Sequence, residues 1–262
     1  MSKIAILVVS FGTTYVETRR TTIEAIETAI QQAFPEATVF RAFTSKIVVR
    51  RIQENEHQHV DSPVEALKHI QEQGFDELWV QSLHLTAGIE YEQAMAAVNQ
   101  VRQSFRRVVI GPPLLHTQQD FLTVVTYLKQ WYPVTQADEG VLWMGHGTAH
   151  QAFASYACLD HMLWGSHHYL GAVESYPEFP LESQRLQRDG IHHVILQPFM
   201  LVAGNHAHQD MASEQPGSWQ SRLEATGIKV TPVLRGLGSY QQIQQLFVQH
   251  LRQAAKGGDK NE

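Results

Sequence analysis

The sequence predicts an α/β fold of two similar lobes, each a four-stranded parallel sheet flanked by helices. Two features of the chain indicate this fold. Short apolar runs alternate with longer segments of helical periodicity along the 262 residues, which is typical of parallel α/β layers. Loops in the first half of the chain also resemble loops in the second half, in the same order, which indicates an internal repeat.

Eight apolar segments are predicted to form strands, because each is short and is followed by a polar loop or a helical pattern. The helix after the first strand is predicted from Ile23, Ile26 and Ile30, whose spacing forms one buried helix face. The predicted strands are Ile4–Val9, Thr38–Phe43, Glu77–Leu83, Arg107–Ile110, Gly140–Met144, Tyr169–Val173, His193–Met200 and Lys229–Leu234.

Four pairs of segments at strand ends define the repeat. Ser10–Thr13 matches Gly145–Thr148, Ala42–Ser45 matches Ala172–Ser175, Gln81–Gly88 matches Gln197–Gly204, and Pro112–Leu114 matches Pro232–Leu234. In this alignment Phe11, Thr44 and Glu90 correspond to His146, Glu174 and His206.

Turn-forming and polar residues cluster near Pro133–Glu139, between the two halves of the repeat. We therefore expect an N-terminal α/β lobe over residues 1–135 and a C-terminal α/β lobe, carrying a metal site, over residues 136–262. The tail Ala254–Glu262 contains two glycines and several charges, so we expect it to be frayed.

Charge and cysteine content limit the partners and the compartment. A formal net charge of −6 provides no basic field, so we expect neither a nucleic-acid nor a membrane partner. Cys158 is the only cysteine, which excludes an internal disulfide and a multi-cysteine metal cluster and suits a reducing compartment. The apolar run at the N-terminus is too short for a signal peptide, so we expect the cytoplasm. A homo-oligomer and a monomer both stay open.

Three metal-ligating residue types follow adjacent strands of the second lobe. His146 follows the fifth strand, Glu174 ends the sixth and His206 lies just beyond the seventh. Ligands bind at the carboxyl ends of parallel strands, so we expect these side chains to share one ion. Two imidazoles and a carboxylate suit cobalt, nickel, iron or zinc and leave coordination positions for a substrate. The aligned residues of the first lobe are unable to form the same site.

Other histidines are weaker candidates. His150 lies four residues after His146 and is predicted to assist from outside the ligand set, and His208 competes with His206. Glu174 ends an apolar run, so we expect it to enter a buried environment and to need a partner. We assign no role to the histidines expected to be solvated, which are His161, His167, His168, His192, His193 and His250.

Several motif classes are missing from the sequence. No P-loop lysine, no Gly-x-Gly-x-x-Gly and no Gly-x-Ser-x-Gly is present, which argues against nucleotide binding and serine hydrolysis. The loop Ser10–Thr14 precedes a predicted helix and is predicted to bind an anion through its backbone N–H groups.

The chain resembles the anaerobic sirohydrochlorin cobalt chelatases of cobalamin biosynthesis, the CbiK type of class II chelatase. The resemblance covers nearly the whole chain and departs from the family pattern near Leu163–Tyr169. It is carried by Leu7–Thr13, Phe40–Ser45, Val80–His84, Met144–Gly147, Tyr156–Met162, Gly171–Glu178 and Met200–Gly204 with His206.

The resemblance implies a chelatase-like fold and a lyase that inserts divalent cobalt, its substrate metal, into sirohydrochlorin. It implies that His146, Glu174 and His206 are the metal ligands. We predict that these are also the catalytic residues, with His146 as the main base, because an imidazole can accept a pyrrole proton at neutral pH. We expect no organic cofactor. The carboxylates of the tetrapyrrole are expected to contact Ser10, Phe11, Gly12, Thr13 and Arg41, while Glu90 is expected to assist proton removal or metal entry.

Two other functions stay open from the sequence. Iron or nickel insertion into the same tetrapyrrole would use the same ligand types. A non-catalytic carrier of a tetrapyrrole or metal would bind its cargo without turnover.

Overall fold

The structure, a computed structural model, describes residues 2–257 and contains two four-stranded parallel sheets. The strand ends differ from the predicted ones by at most two residues, so the predicted α/β fold is confirmed. The first sheet contains β1 Ile4–Ser10, β2 Thr38–Phe43, β3 Glu77–Ser82 and β4 Arg107–Gly111, and the second contains β5 Glu139–Gly145, β6 His168–Ala172, β7 His193–Phe199 and β8 Lys229–Pro232.

Helices occupy the connections between the strands. The apolar face predicted from Ile23, Ile26 and Ile30 is fully buried. The helices are α1 Val16–Thr21, α2 Ile23–Ala33, α3 Lys46–Glu56, α4 Pro63–Glu72, α5 Ile89–Val101, α6 Gln118–Trp131, α7 Ala154–Met162, α8 Phe179–Arg188, α9 Trp219–Glu224 and α10 Gln241–Gly257.

Both sheets have the same strand order, β2-β1-β3-β4 and β6-β5-β7-β8, which confirms the internal repeat. The strand register corrects one part of the predicted alignment. Phe43 pairs with Ser10 as Ala172 pairs with Gly145, so the counterpart of Glu174 is Ser45 and not Thr44. The error arose because small residues at strand ends match equally well after a shift of one position.

The chain divides into two compact units at boundaries other than the predicted ones. The first unit contains residues 2–116 together with residues 238–257, and the second contains Thr117–Leu237. Helix α10 packs on β4 and α2, and the Arg107 guanidinium donates a hydrogen bond to the carbonyl of Ala255. The last helix therefore belongs to the first unit. Residues 254–257 are helical and not frayed, and residues 258–262 lie outside the described residues.

Each unit has its own apolar core on its sheet. Strands of parallel sheets are covered on both faces, and β3 is accordingly buried along its whole length. A buried glutamine recurs at the same place in each repeat. Gln81 donates a hydrogen bond to the Pro112 carbonyl at 3.0 Å, and Gln197 donates one to the Arg235 carbonyl at 3.1 Å. Among the described residues, no helix is both long enough and apolar enough to cross a bilayer.

Candidate metal centre

The strand order of the second unit brings the three predicted metal ligands to one place. His146 follows β5, Glu174 follows β6 and His206 lies after β7, and β5 is the middle of these three neighbouring strands. The chain passes from β5 to β6 on one side of β5 and then returns to β7 on the opposite side of β5. The direction in which successive strands are added to the sheet therefore reverses between β5 and β7. Parallel sheets bind ligands at this point, because adjacent loops separate there.

Backbone hydrogen bonds join the loops that carry His146 and Glu174. The Glu174 N–H donates to the His146 carbonyl at 2.9 Å, and the Val173 N–H donates to the Gly145 carbonyl at 3.0 Å. The Val173 bond continues the β5–β6 ladder by one step, and the Glu174 bond joins the two loops just beyond the ladder. The backbones that carry the two side chains are therefore held together by hydrogen bonds.

Gly147 allows the two loops to approach each other. Its φ is +87°, which glycine adopts without strain. A Cβ at this position would lie 2.7 Å from Ser175 Oγ, 2.8 Å from Ser175 N and 3.0 Å from Glu174 N. The Thr148 N–H also donates to Ser175 Oγ at 3.2 Å. Only glycine therefore fits after His146 in this arrangement.

The three side chains lie within reach of a single ion. One ligand atom from each of His146, Glu174 and His206 lies within 4.8 Å of the other two. The two imidazole rings are perpendicular, with centroids 4.5 Å apart. The side chains of His146, Glu174 and His206 are 41%, 53% and 35% exposed, so an ion held here stays open to a substrate.

Hydrogen bonds fix the proton positions on both imidazoles. His146 Nδ1 lies 2.9 Å from the Gly147 carbonyl, and His206 Nδ1 lies 2.6 Å from Asp210 Oδ2. Carbonyl and carboxylate oxygens only accept hydrogen bonds, so each Nδ1 is the donor. Each Nε2 therefore has its lone pair available for a metal ion or a proton.

Asp210 is a site residue that the sequence analysis missed. It follows His206 by four residues, and a π-helical turn over Ala207–Met211 brings the two side chains together. A carboxylate on the second nitrogen of a metal-binding histidine orients the ring and makes it a stronger ligand. The His-x-x-x-Asp spacing is the signal that would have identified it.

Other expectations about acids and histidines need correction. Glu174 is exposed and not buried, because β6 ends two residues before it. His150 does not continue a helix face from His146, since its Nδ1 caps a short 3₁₀ turn by accepting from the Ala152 N–H at 3.2 Å. Of the two competing histidines, His206 and not His208 lies with His146 and Glu174 in the group that could hold an ion.

Two histidines expected to be solvated are buried, namely His168 and His250. His168 Nδ1 accepts a hydrogen bond from Trp143 Nε1 at 3.2 Å, and its Nε2 donates one to the Tyr132 carbonyl at 3.0 Å. Burial lowers the pKa of His168 to about 4, so this ring is a neutral part of the core.

The loop predicted to bind substrate carboxylates follows β1. Ser10 and Thr13 are buried, whereas Phe11 is exposed. Gly12 has a φ of +90° and lies on the ring of Phe43, where a Cβ would lie 2.5 Å from a ring carbon. The buried hydroxyl groups do not support direct side-chain contacts with a substrate. Binding through the backbone N–H groups stays a prediction.

Arg41 and Glu90 lie elsewhere in the first unit. The Arg41 guanidinium is paired with Glu27, at 2.7 Å from Nε to Oε1, and with Glu24, at 3.2 Å from Nη1 to Oε1. Two carboxylates already offset its charge, which argues against the prediction that Arg41 binds a substrate carboxylate. Glu90 is half-buried in the first turn of α5, and its assisting role stays a prediction.

The sequence also matches a family of known proteins. Residues 4–256 match the model of the family described as cobalt chelatase (CbiK). The chain belongs to the cobalt chelatase (CbiK) family. The sirohydrochlorin cobaltochelatase of Salmonella typhimurium is 42% identical to this CbiK-family chain over 254 residues, which cover 96% of both proteins. The sirohydrochlorin cobaltochelatase CbiKC of Nitratidesulfovibrio vulgaris is 33% identical over 264 residues, 99% of this chain and 93% of the relative.

Solved structures share the fold of this CbiK-family chain at low sequence identity. SirB from Bacillus subtilis with Fe3+ has a TM-score of 0.66 and 15% identity, with 98% of each chain covered. A second structure is the sirohydrochlorin chelatase SirB from Bacillus subtilis subspecies spizizenii in complex with cobalt. It has a TM-score of 0.63 and 12% identity, and the match covers 99% of this chain and 98% of the SirB chain. The two-lobed architecture is therefore that of known chelatases.

Proposed function

We propose that this chain is a sirohydrochlorin cobaltochelatase, a lyase that inserts divalent cobalt into sirohydrochlorin during anaerobic cobalamin biosynthesis. Membership of the CbiK family supports this function, as do two relatives of that name that match over nearly their whole length. The observation that carries the proposal is the cluster of His146, Glu174 and His206, whose ligand atoms lie within 4.8 Å of one another.

His146, Glu174 and His206 hold the cobalt ion before its transfer. Imidazole and carboxylate ligands bind borderline divalent ions, and three protein ligands leave positions that the pyrrole nitrogens of the substrate can occupy. The ionised forms of Glu174 and Asp210 together offset the charge of the ion. The partial exposure of all three ligands lets the ion leave as the macrocycle takes it up.

Insertion releases two protons, since the macrocycle exchanges two pyrrole N–H protons for one divalent ion. The Nε2 lone pair of His146 is unable to hold the metal and accept a proton at the same time. We infer a sequential exchange, in which an Nε2 atom that has released cobalt then accepts a pyrrole proton. His146 is the main base, and His206 can accept the second proton while Asp210 stabilises the resulting imidazolium ring.

The reaction is tested by following insertion optically with metal-free protein, sirohydrochlorin and Co²⁺. The proposal predicts many product molecules per protein. One product or fewer per protein would instead identify a carrier. His146→Ala should reduce turnover by at least 10²-fold, since it removes a ligand and the main base together. His192→Ala is the matched control, because His192 is an exposed imidazole outside the cluster. Near-wild-type turnover by His146→Ala would contradict the assignment.

The choice of metal is tested by competition. Co²⁺, Ni²⁺ and Fe²⁺ bind similar ligand sets, and their order of affinity depends largely on the ions themselves. Turnover should therefore be compared at equal, buffered concentrations of each free ion. The proposal predicts the highest kcat/KM for Co²⁺, and a higher value for iron or nickel would assign the enzyme to that metal.

The cytoplasm is the proposed compartment. The thiol of Cys158 is exposed and is not part of a disulfide, which suits a reducing environment. Fractionation of the source cells with an antibody against the chain would test this location.

A further inference from the structure

A second group of metal-ligating side chains lies in the first unit, near the start of α4. His59, Asp61 and Glu65 each offer one ligand atom, and these atoms lie within 4.8 Å of one another. His69, on α4, contacts this group through Asp61, because its Nδ1 lies 2.8 Å from Asp61 Oδ2. None of these residues belongs to the centre formed by His146, Glu174 and His206.

Asp61 connects the two imidazoles. Its Oδ1 lies 3.0 Å from His59 Nε2, and its Oδ2 lies 2.8 Å from His69 Nδ1. Neighbouring ligands of an octahedral ion, each about 2.1 Å from the metal, are separated by about 3 Å. The pair of His59 Nε2 and Asp61 Oδ1 therefore already has the separation that a divalent ion requires of two adjacent ligands, while the hydrogen bond from His69 orients the Asp61 carboxylate.

The backbone holds Asp61 in place while the imidazoles face solvent. The Phe43 N–H, at the end of β2, donates to the Asp61 carbonyl at 2.9 Å. The Asp61 side chain is only 19% exposed, whereas those of His59 and His69 are 58% and 47% exposed. An ion could therefore reach the group directly from solution and keep water in its remaining positions.

Glu65 is oriented by a capping box at the start of α4. The backbone N–H and the hydroxyl group of Ser62 both donate to Glu65 Oε2, at 2.8 and 2.7 Å. Both contacts use the same oxygen, so Oε1 is the atom that can turn towards an ion. The helix cap thus restricts the carboxylate before any ion binds, which lowers the entropy lost on binding.

We propose that His59, Asp61 and Glu65, with His69 supporting Asp61, form a second binding site for a divalent cation of the cobalt, nickel and zinc class. An imidazole suits borderline ions, and two carboxylates neutralise the charge of the ion. This site is a binding site separate from the insertion chemistry, and it stands independently of the proposed function.

Equilibrium dialysis of the metal-free full-length chain against Co²⁺, without tetrapyrrole, tests this site. The wild type should bind two ions per chain, and the double variant His59→Ala with His69→Ala should bind one. His146→Ala with His206→Ala should also bind one ion, because the other centre is then lost. The control His192→Ala removes an exposed imidazole from neither group and should bind two.

Glu65→Gln separates metal binding from helix capping. Glutamine can complete a capping box in place of glutamate, so α4 should keep its cap and the unfolding curve should not move. Loss of the carboxylate should weaken binding of the second ion by about 10-fold or more, which is the loss of affinity seen when groups around a metal site are replaced. Unchanged Co²⁺ affinity in this variant would overturn the role of Glu65.

The stoichiometries decide the proposal as a whole. The proposal would be overturned if the double variant His59→Ala with His69→Ala still bound two ions. It would also be overturned if the wild type bound only one ion and the double variant His146→Ala with His206→Ala bound none. At saturating Co²⁺ the first double variant should insert metal within twofold of the wild-type rate. Failure of insertion in the wild type would refute the proposed function and leave the dialysis result standing.

Discussion

Replacing Gly147 with alanine should separate the loops that carry His146 and Glu174. The residue has a φ of +87°, and the new Cβ would lie 2.8 Å from Ser175 N and 3.0 Å from Glu174 N. These are backbone atoms, which are unable to rotate away as a side chain would. The loops must therefore move apart, and the bond from the Glu174 N–H to the His146 carbonyl is stretched.

The expected loss of stability has two parts. An alanine in the left-handed region costs about 1–2 kcal/mol. Weakening the bonds of the Glu174 N–H and the Thr148 N–H costs about 1 kcal/mol each. Gly147→Ala should therefore lower the free energy of unfolding of the second unit by about 3–4 kcal/mol. Gly165→Ala is the matched control, because Gly165 has a φ of +72° with nothing within 4 Å of an added Cβ, and it should show only the first part.

Urea unfolding and Co²⁺ titration of both variants test this prediction. Gly147→Ala should bind Co²⁺ about 10- to 100-fold more weakly than the wild type, the range seen when the support of a metal ligand is disturbed. Gly165→Ala should bind Co²⁺ normally. Equal losses of stability in the two variants, together with unchanged Co²⁺ affinity in Gly147→Ala, would refute the role of the close loop contact.

Three further perturbations test the second unit. Asp210→Ala should weaken Co²⁺ binding about 10-fold or more by releasing the His206 ring, and normal affinity on titration would argue against that support. Burial lowers the pKa of His168 to about 4 from 6.5, so the unfolded chain binds a proton that the folded chain does not, and stability falls as the pH drops through this window. In urea unfolding, the decrease in unfolding free energy from pH 7 to pH 4.5 should be smaller in His168→Gln than in the wild type, by up to about 3 kcal/mol. An equal decrease in both proteins would contradict this prediction. Burial raises the pKa of Glu182 to about 7 from 4.5, so its stabilising contribution is present at low pH and is lost as the pH rises through 7. Glu182→Gln should flatten the unfolding free energy between pH 5 and pH 8, and a slope equal to that of the wild type would show that the carboxyl group is not responsible.

The inner strands β1, β3 and β5 could be predicted from the sequence because parallel strands covered on both faces read as nearly continuous apolar runs. The position of α10 could not be predicted, since its amphipathic pattern specifies a buried face and not the unit that covers it. The repeat was found from small residues at strand ends, but such residues do not specify register. The residue pairing between neighbouring strands in the structure was needed to align Ser45 with Glu174.

The proximity of His146, Glu174 and His206 was predictable because strand order alone brings the loops after β5, β6 and β7 together. The supporting contacts were harder to predict, because they depend on local backbone geometry. The pairing of Asp210 with His206 requires the π-helical turn, and the exposure of Glu174 depends on where β6 ends. The pairing of Arg41 with two glutamates of α2 depends on packing between a strand and a helix.

The proposed function requires that His146, Glu174 and His206 hold one cobalt ion. Anomalous diffraction at the cobalt edge, from crystals of the full chain soaked in Co²⁺, would locate that ion. We expect a cobalt peak about 2.0–2.2 Å from Nε2 of both histidines and from a Glu174 carboxylate oxygen. Full cobalt occupancy elsewhere on the chain, with no peak among these three side chains, would contradict it.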